Sequence, residues 1–281
     1  MNLDKAKPFQ TIKDHSISKE RFNLMYDSDL DLIITHPQPT PENLPKYYES
    51  DDYISHTDGS RSLFEKMYQI VKNYALKSKL NLVNSESEKG TVLDIGAGTG
   101  DFLALLQKNG WQITGFEPNS KAKAIAVKKA IPFTESVQNL QSNSFNVITM
   151  WHVLEHIPDL QNQIFELKRL LKPNGTIFIA VPNFNSFDAN YYGNFWAAFD
   201  VPRHLWHFSK TAIGALFAVQ NLNVVKILPM KFDAFYVSLL SEKYKTGTMN
   251  YLKALLIGVK SNRYGKRNLE YSSHIYVIKN Q

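Results

Sequence analysis

Between Val92 and Phe102 a short apolar run passes into Asp94-Ile95-Gly96-Ala97-Gly98-Thr99-Gly100 and then into a helical pattern. The glycines allow backbone angles closed to other residues and let a ligand approach the main chain, and the helix start that follows offers unpaired N–H groups. A nucleotide-like ligand fits such a turn. Nicotinamide sites favour G-x-G-x-x-G, whereas this turn reads G-x-G-x-G with an acid two residues before the first glycine. A second acid supports the ligand reading. Gly115-Phe116-Glu117-Pro118-Asn119 places Glu117 at the end of the next apolar run, about 20 residues beyond the turn, where a carboxylate can accept both hydroxyls of a ribose. Histidine is the side chain that exchanges protons most readily near neutrality, and His152 and His204 stand on loops that leave the same edge of the predicted sheet.

The elements that must position these residues follow from periodicity. Short apolar runs alternate with helical ones from Thr91 onward, as a parallel sheet with crossover helices requires. Strands are predicted at Thr91–Ile95, Gln112–Phe116, Phe145–Trp151, Gly175–Val181, Val224–Met230 and Ser273–Ile278, with a weaker one near Pro132–Phe133 making seven. Helices are predicted near Asp101–Lys108, Ser120–Ala130, Leu160–Leu171 and Lys210–Gln220, with an inserted helix at Met249–Val259. Leu63, Met67, Ile70, Val71 and Tyr74 have helical spacing, which predicts an amphipathic helix over 61–82 covering the sheet, followed by a polar linker from Asn84 to Gly90. Residues 1–60, with Pro37, Pro39, Pro41 and Pro45 close together, read as an N-terminal appendage.

Bulk composition narrows the classes. The chain has 281 residues and 43% apolar content, enough for a proper core. Zero cysteine removes disulfides, cysteine nucleophiles and thiolate metal sites together. No stretch approaches the roughly 20 apolar residues of a membrane span, so a cytoplasmic protein without a membrane span is expected. The formal charge is +6, but the lysines are dispersed and the densest basic stretch, Lys260 to Arg267, is short; this argues for a solvated surface over a nucleic-acid partner.

Taken together, Asp94 to Gly100, Glu117, Trp151-His152-Val153-Leu154-Glu155-His156-Ile157 and Leu171-Lys172-Pro173-Asn174-Gly175 resemble the class I S-adenosylmethionine-dependent methyltransferases. Within that class the chain is most similar to the small-molecule branch that includes the ubiquinone-biosynthesis O-methyltransferases. The resemblance implies an α/β, Rossmann-like, seven-stranded sheet, mostly parallel with its last strand antiparallel and helices on both faces. It implies a methyltransferase domain over 61–281, with the cofactor half at about 90–182 and substrate-side insertions at about 183–210 and 231–272. S-adenosylmethionine would be the cofactor and S-adenosylhomocysteine its product. By position, Asp94 would sit near the methionine amino group, Gly96, Ala97, Gly98 and Gly100 beneath the cofactor, Glu117 between Phe116 and Pro118 on the ribose, and Val137 or its neighbours at the adenine. Trp151 and His152 would face the methionine end.

The flanks also carry the resemblance. Phe22 to His56 is similar to a segment that forms a small zinc ribbon in some relatives; Thr35-His36-Pro37-Gln38-Pro39 keeps its turn, but the cysteines are absent and no metal is expected. Tyr47, Tyr48, Tyr53 and His56 either fold over the cofactor as a lid or pack against the following helix. Asp200-Val201-Pro202-Arg203-His204 leads into Trp206-His207-Phe208-Ser209, where Ser209 is expected to cap a helix and His207 to be a core residue before it is a catalyst. Methyl transfer to a hydroxyl needs alignment and a proton acceptor. His204 is the first candidate base and His152 the second, unless proximity alone suffices, and Arg203 would keep the His204 ring neutral by charge repulsion. No histidine–carboxylate constellation suited to catechol-type magnesium chelation stands out. Thr149-Met150-Trp151-His152 lacks the Asn-Pro-Pro-Tyr signature of adenine and glutamine N-methylation. The reading is methyl transfer to a small-molecule hydroxyl; the alternatives are a non-catalytic cofactor- or partner-binding protein on the same fold, or a C- or N-methyltransferase.

Overall fold

The computed structural model describes residues 5–40, 42–48 and 63–280. Its centre is a six-stranded sheet in the order β5(Gln112–Phe116), β4(Thr91–Ile95), β6(Phe145–Trp151), β7(Leu171–Pro182), β10(Ser273–Asn280), β9(Leu222–Pro229). The first four strands pair in parallel, and β10 runs antiparallel to both of its neighbours. The seventh strand expected near Pro132–Phe133 is reduced to a single bridge between Gly115 and Phe133, so the sheet has six strands. At the bridge the Phe133 ring packs over Gly115, where an added Cβ would stand 2.8 Å from it.

Strand alternation sorts the core onto two faces. Leu93, Ile95, Ile148, Met150, Ile177 and Ile179 face helices α4(Leu160–Leu170) and α6(Lys210–Ala218). Val92, Val147, Phe178 and Val277 face α1(Leu63–Glu86) and α2(Asp101–Lys108). The expected apolar face of α1 is corrected by the structure. Ile70 and Tyr74 are 68% and 60% exposed, and Leu80 and Val83, further along the helix, are the buried anchors. The helix also runs to Glu86, into the first three residues of the predicted linker.

A second, four-stranded antiparallel sheet joins β1(Lys7–Lys13), β2(Arg21–Asp27) and β3(Leu32–His36) to β8(Trp206–Phe208). Residues from the expected N-terminal appendage and from the substrate-side insertion therefore share one ladder. Leu32 and Ile34 of β3 enter the main core, while Ile33 turns to a separate cluster with Phe22, Leu24, Tyr47 and Trp196. Two further helices, α7(Asp233–Thr246) and α8(Tyr251–Asn268), form a hairpin between β9 and β10; α7 was not foreseen, and α8 is longer than the predicted inserted helix.

Arg203 links the two sheets. Its guanidinium lies 3.0 Å from Asp14 and 2.6 Å from Asp200, donates to the Tyr47 carbonyl at 3.0 Å and also reaches Ser16. Both Arg203 and Asp14 are buried. Burial penalises the Asp14 carboxylate, but Arg203 and the Ser16 and Ser18 donors outweigh it and hold its pKa well below the usual range. Removing one partner of a buried pair strands the other charge. Asp14→Ala is therefore expected to cost about 3 kcal/mol in denaturant unfolding, and the Asp14→Ala/Arg203→Met double variant to lose less than the sum of its single variants. Because the folded pKa is depressed, the stabilisation is present at pH values above the unfolded carboxyl range and disappears as pH falls through the folded value.

Candidate functional site

The parallel strands end together at one edge, and the glycine turn lies there between β4 and α2. Gly96, Gly98 and Gly100 have φ of 75°, 54° and 76°. A Cβ on Gly96 would meet Val153 at 2.3 Å and one on Gly100 would meet Ala126 and Ile131 at 3.0 Å, so these two glycines also serve packing. A Cβ on Gly98 would meet nothing within 4 Å, which marks the open side of the turn. Gly96 and Ala97 donate their N–H groups to the Phe116 carbonyl at 2.8 and 3.1 Å, tying the turn to the end of β5. Glu117 follows directly. Its carboxylate accepts from Gly98 N–H and Asn119 N–H, each at 2.8 Å, so the backbone aims it across the open turn with one acceptor direction spare on each oxygen. Phe116 is half-buried and Pro118 exposed, while Val137 is buried in the core cluster, so an adenine contact there would come from its neighbours.

Asp94 is buried and accepts from Thr149 Oγ1. Burial raises its pKa to about 7, with Thr149 and Lys79 pulling the other way. Lys79, on α1, was not anticipated from the sequence. Its ammonium lies 4.4 Å from the centre of the Trp151 ring, its pKa is lowered chiefly by burial, and it sits in the fields of Asp94 and Asp233. Trp151 packs edge-on to Phe102, and its indole N–H is buried without a hydrogen-bond partner. A carboxylate, an ammonium and an unpaired indole donor at one end, with a ribose-sized acceptor at the other, suit a zwitterionic amino acid joined to a nucleoside.

His152 follows at the β6 exit with a positive φ of 57°. Its Nε2 is 2.9 Å from Asp233 and its Nδ1 is 3.4 Å from Glu155. Burial disfavours the charged ring, but Asp233 and Glu155 outweigh it and raise the pKa to about 10. A ring already protonated at neutrality does not accept a proton, which runs against the expectation of His152 as a base.

His204 is placed differently. Its Nδ1 donates to the Ala198 carbonyl at 2.8 Å, and its Nε2 makes no hydrogen bond but lies 4.0 Å from the Asp200 carboxylate. The expected role of Arg203 beside it is corrected, because the guanidinium is neutralised by Asp14 and Asp200. His156 packs against His204 with ring centres 4.6 Å apart. The Arg203 carbonyl, 3.0 Å from His156 Nδ1, can only accept, so Nδ1 carries the proton and Nε2 is again open. Burial lowers the His156 pKa to about 4. Glu155 is buried with neither carboxylate oxygen hydrogen-bonded. Ligand atoms of Glu155, His156 and His204 lie within 4.8 Å of one another. Two imidazoles oriented through Nδ1–H to backbone carbonyls, beside a carboxylate whose charge partner is the His152 ring at 3.4 Å, could hold a divalent cation. The sequence reading found no such constellation; Glu155 and His156 are adjacent, but His204 comes from a loop nearly fifty residues on, and only the fold brings it back.

His207 bonds Thr35 through Nε2 at 3.0 Å, and burial lowers its pKa to about 3, in keeping with a core histidine. Ser209 caps α6 by accepting from Ala212 N–H. Of the expected lid, Tyr47 packs on Phe22 with its hydroxyl on Glu20, and Tyr48 reaches His156 Nδ1 at 3.0 Å. Tyr53 and His56 lie outside the described residues. Asp27, in the ribbon-like segment, accepts from Asp29 and Leu30 N–H groups and organises the β2–β3 turn.

The His152 cluster yields a test. Ring-nitrogen NMR is expected to show His152 as imidazolium at pH 8, and Asp233→Asn to bring its titration down toward the ordinary histidine range. The linked stability is fully present below the unfolded histidine pKa and is lost as pH rises through about 10. A neutral His152 at pH 7 would contradict the pairing.

Comparison with known proteins follows the geometry. The curated relatives include ubiquinone biosynthesis O-methyltransferases of Pasteurella multocida, 34% identical over 111 residues, and Photorhabdus laumondii, 30% identical over 104 residues. These matches take in 33% and 34% of this chain and 46% and 43% of the relatives, so the chain spans less than half the length of the curated relatives it matches. Among solved structures, an S-adenosylmethionine-dependent methyltransferase from Archaeoglobus fulgidus is similar at a TM-score of 0.54 and 18% identity, covering 78% of this chain and 98% of that one. A methyltransferase from Thermotoga maritima, described as a possible histamine N-methyltransferase, gives 0.53 and 19%, covering 77% and 94%. At those identities the structures establish a shared fold. The model of a family described as a methyltransferase domain matches residues 65–227, more than half of the chain, from near the start of α1 through the glycine turn to β9. A match of that extent settles the family: the chain belongs to the methyltransferase-domain family, among the class I enzymes that use S-adenosylmethionine.

Proposed function

We propose that the chain transfers a methyl group from S-adenosylmethionine to a hydroxyl of a small acceptor bound between the β6 exit and the 191–205 segment. The observation that carries this reading is the open Nε2 of His204, whose Nδ1 is fixed by the Ala198 carbonyl, on a loop packed against the β6 exit. Bound S-adenosylmethionine supplies an electrophilic methyl group. The chain's own residues do the rest. Glu117 accepts the ribose hydroxyls, Asp94 takes the methionine ammonium, and Lys79 takes the methionine carboxylate. The ammonium would favour the ionised form of Asp94, which burial otherwise disfavours at neutrality. His204 Nε2 accepts the acceptor's hydroxyl proton as the oxygen attacks, and the Ala198 carbonyl stabilises the imidazolium that results. Aromatic side chains of the 191–199 segment, Trp196 and Phe199 among them, are mostly buried and act as the wall that shapes the acceptor space.

One observation favours a second reading of the same residues. The Glu155 carboxylate, buried and without a hydrogen bond though 3.4 Å from the His152 ring, gives His204 and His156 the makings of a two-histidine, one-carboxylate cation site, in which His204 is a ligand and the acceptor hydroxyl is acidified by the cation.

Binding and turnover separate these assignments. Glu117→Ala is expected to weaken S-adenosylhomocysteine binding at least tenfold, for a loss of roughly 1.5–3 kcal/mol. Lys79→Ala is expected to weaken S-adenosylhomocysteine but to leave 5′-methylthioadenosine, which has no amino-acid carboxylate, unchanged; equal losses for both ligands would remove Lys79 from the site. On a phenolic acceptor found by library screening, His204→Ala is expected to lower turnover by roughly a hundredfold to ten-thousandfold with S-adenosylhomocysteine affinity intact. Insensitivity of the parent enzyme to chelators supports the base. Loss of activity on chelation, restored by Mn2+ or Zn2+, supports the cation site.

A further inference from the structure

The basic stretch that the sequence shows at Lys260 to Arg267 is not used by the methyltransferase site. It lies on α8, which carries Lys253, Lys260, Arg263, Lys266 and Arg267 and no acidic residue, five positive charges against a net +6 for the whole chain. Lys260, Arg263 and Arg267 stand at i, i+3 and i+7, on one face of the helix. With Phe187, Tyr264 and Asn268 they line a cleft of about 510 Å3. Arg169, Arg203, Lys210 and Lys253 each have a carboxylate partner, whereas among the described residues Lys260, Arg263 and Arg267 have none. Lys266 and Arg267 are explained by the negative end of the helix dipole. Lys260 and Arg263 lie more than a turn from that end, and Arg263 and Arg267 repel each other across four residues.

The walls of this cleft are pinned to one another. Asp188, next to Phe187, is buried and accepts from Ser261 Oγ, next to Lys260, as well as from Ser272 Oγ and Trp196 Nε1. The half-buried Phe187 ring lies 6.0 Å from Tyr264 and nearly parallel to Tyr191 at 6.2 Å, and so contributes to an aromatic wall. We propose that this cleft binds a small phosphorylated ligand with a planar ring, the chemical class of the nucleoside diphosphates. Arg263 and Arg267 fork onto phosphoryl oxygens, Lys260 adds a third cation, and the ring lies on Phe187 and Tyr264. The pairing of cations with aromatic walls selects a phosphoryl group attached to a ring over a bare polyanion. The site is separate from the glycine turn, and no residue of the cofactor cradle lines it.

Titration calorimetry on the full chain saturated with S-adenosylhomocysteine tests the assignment, with UDP, pyrophosphate and uridine as probes so that the adenosine pocket stays filled. UDP and pyrophosphate are expected to bind with an affinity that falls as salt rises, and uridine to show no measurable heat. Arg263→Ala/Arg267→Ala is expected to weaken UDP at least tenfold with S-adenosylhomocysteine affinity unchanged, and Tyr264→Ala to weaken UDP more than pyrophosphate. Absence of binding by both anions, or binding indifferent to the double variant, would overturn the proposal. Sedimentation with phosphatidylglycerol vesicles, lost in the same double variant and unaccompanied by any response to UDP, would overturn the nucleotide assignment in favour of a lipid headgroup.

Discussion

A guanidinium buried between two carboxylates holds the acceptor side of this molecule together. Arg203 could not remain at its position without Asp14 and Asp200, because an unpaired buried charge costs several kcal/mol. Its neighbours in sequence inherit that placement. The Arg203 carbonyl sets the tautomer of His156, the His204 carbonyl accepts from Thr35 Oγ1 at 2.7 Å, and Leu205 donates its N–H to the Glu155 carbonyl at 2.8 Å. The loop that carries His204 is thus clamped between β3 on one side and the β6 exit on the other. The N-terminal strands are fastened to the loop by the Asp14–Arg203 ion pair and by hydrogen bonds from Thr35.

The cofactor side depends on charge arranged in series. Asp94, Lys79, Asp233, His152 and Glu155 alternate in sign from the floor of the glycine turn to the histidine pair. Each member offsets the burial cost of its neighbour, so the row tolerates low exposure that no single member would. Two of these charges come from elements outside the strand edge, Lys79 from α1 and Asp233 from α7. The helical insertion between β9 and β10 therefore reaches the reacting end of the site as well as the surface.

Much of the cofactor half was legible because its signals are local. The β4–turn–α2 unit, Glu117 at the end of β5 and the Ser209 cap each need only a few consecutive residues, and the strand and helix bounds there agree with the structure to within a few residues. What periodicity missed was long-range. Ile70 and Tyr74 have helical spacing, but spacing does not say which half of a long helix meets the sheet. Pro132–Phe133 has strand character, yet it pairs with β5 through a single bridge at Gly115. The Glu155, His156 and His204 cluster, Lys79 over Trp151 and the bond from Thr35 to His204 each join residues far apart in the chain, and no motif of short range encodes them.

The four-stranded sheet imposes an order on biosynthesis. Leu32 and Ile34 of β3 are covered only when β8 pairs with them and the main core closes, and β8 lies about 170 residues further along the chain. At translation speeds of 5–20 residues per second, that interval lasts roughly 10–30 s. Through it the N-terminal meander leaves its β3 edge unpaired and an apolar face uncovered, the kind of surface that chaperones engage and that recruits other nascent chains. Arg203 emerges just ahead of β8, so the charge that neutralises Asp14 and the strand that caps the meander arrive together, and strands made early are among the last to be completed.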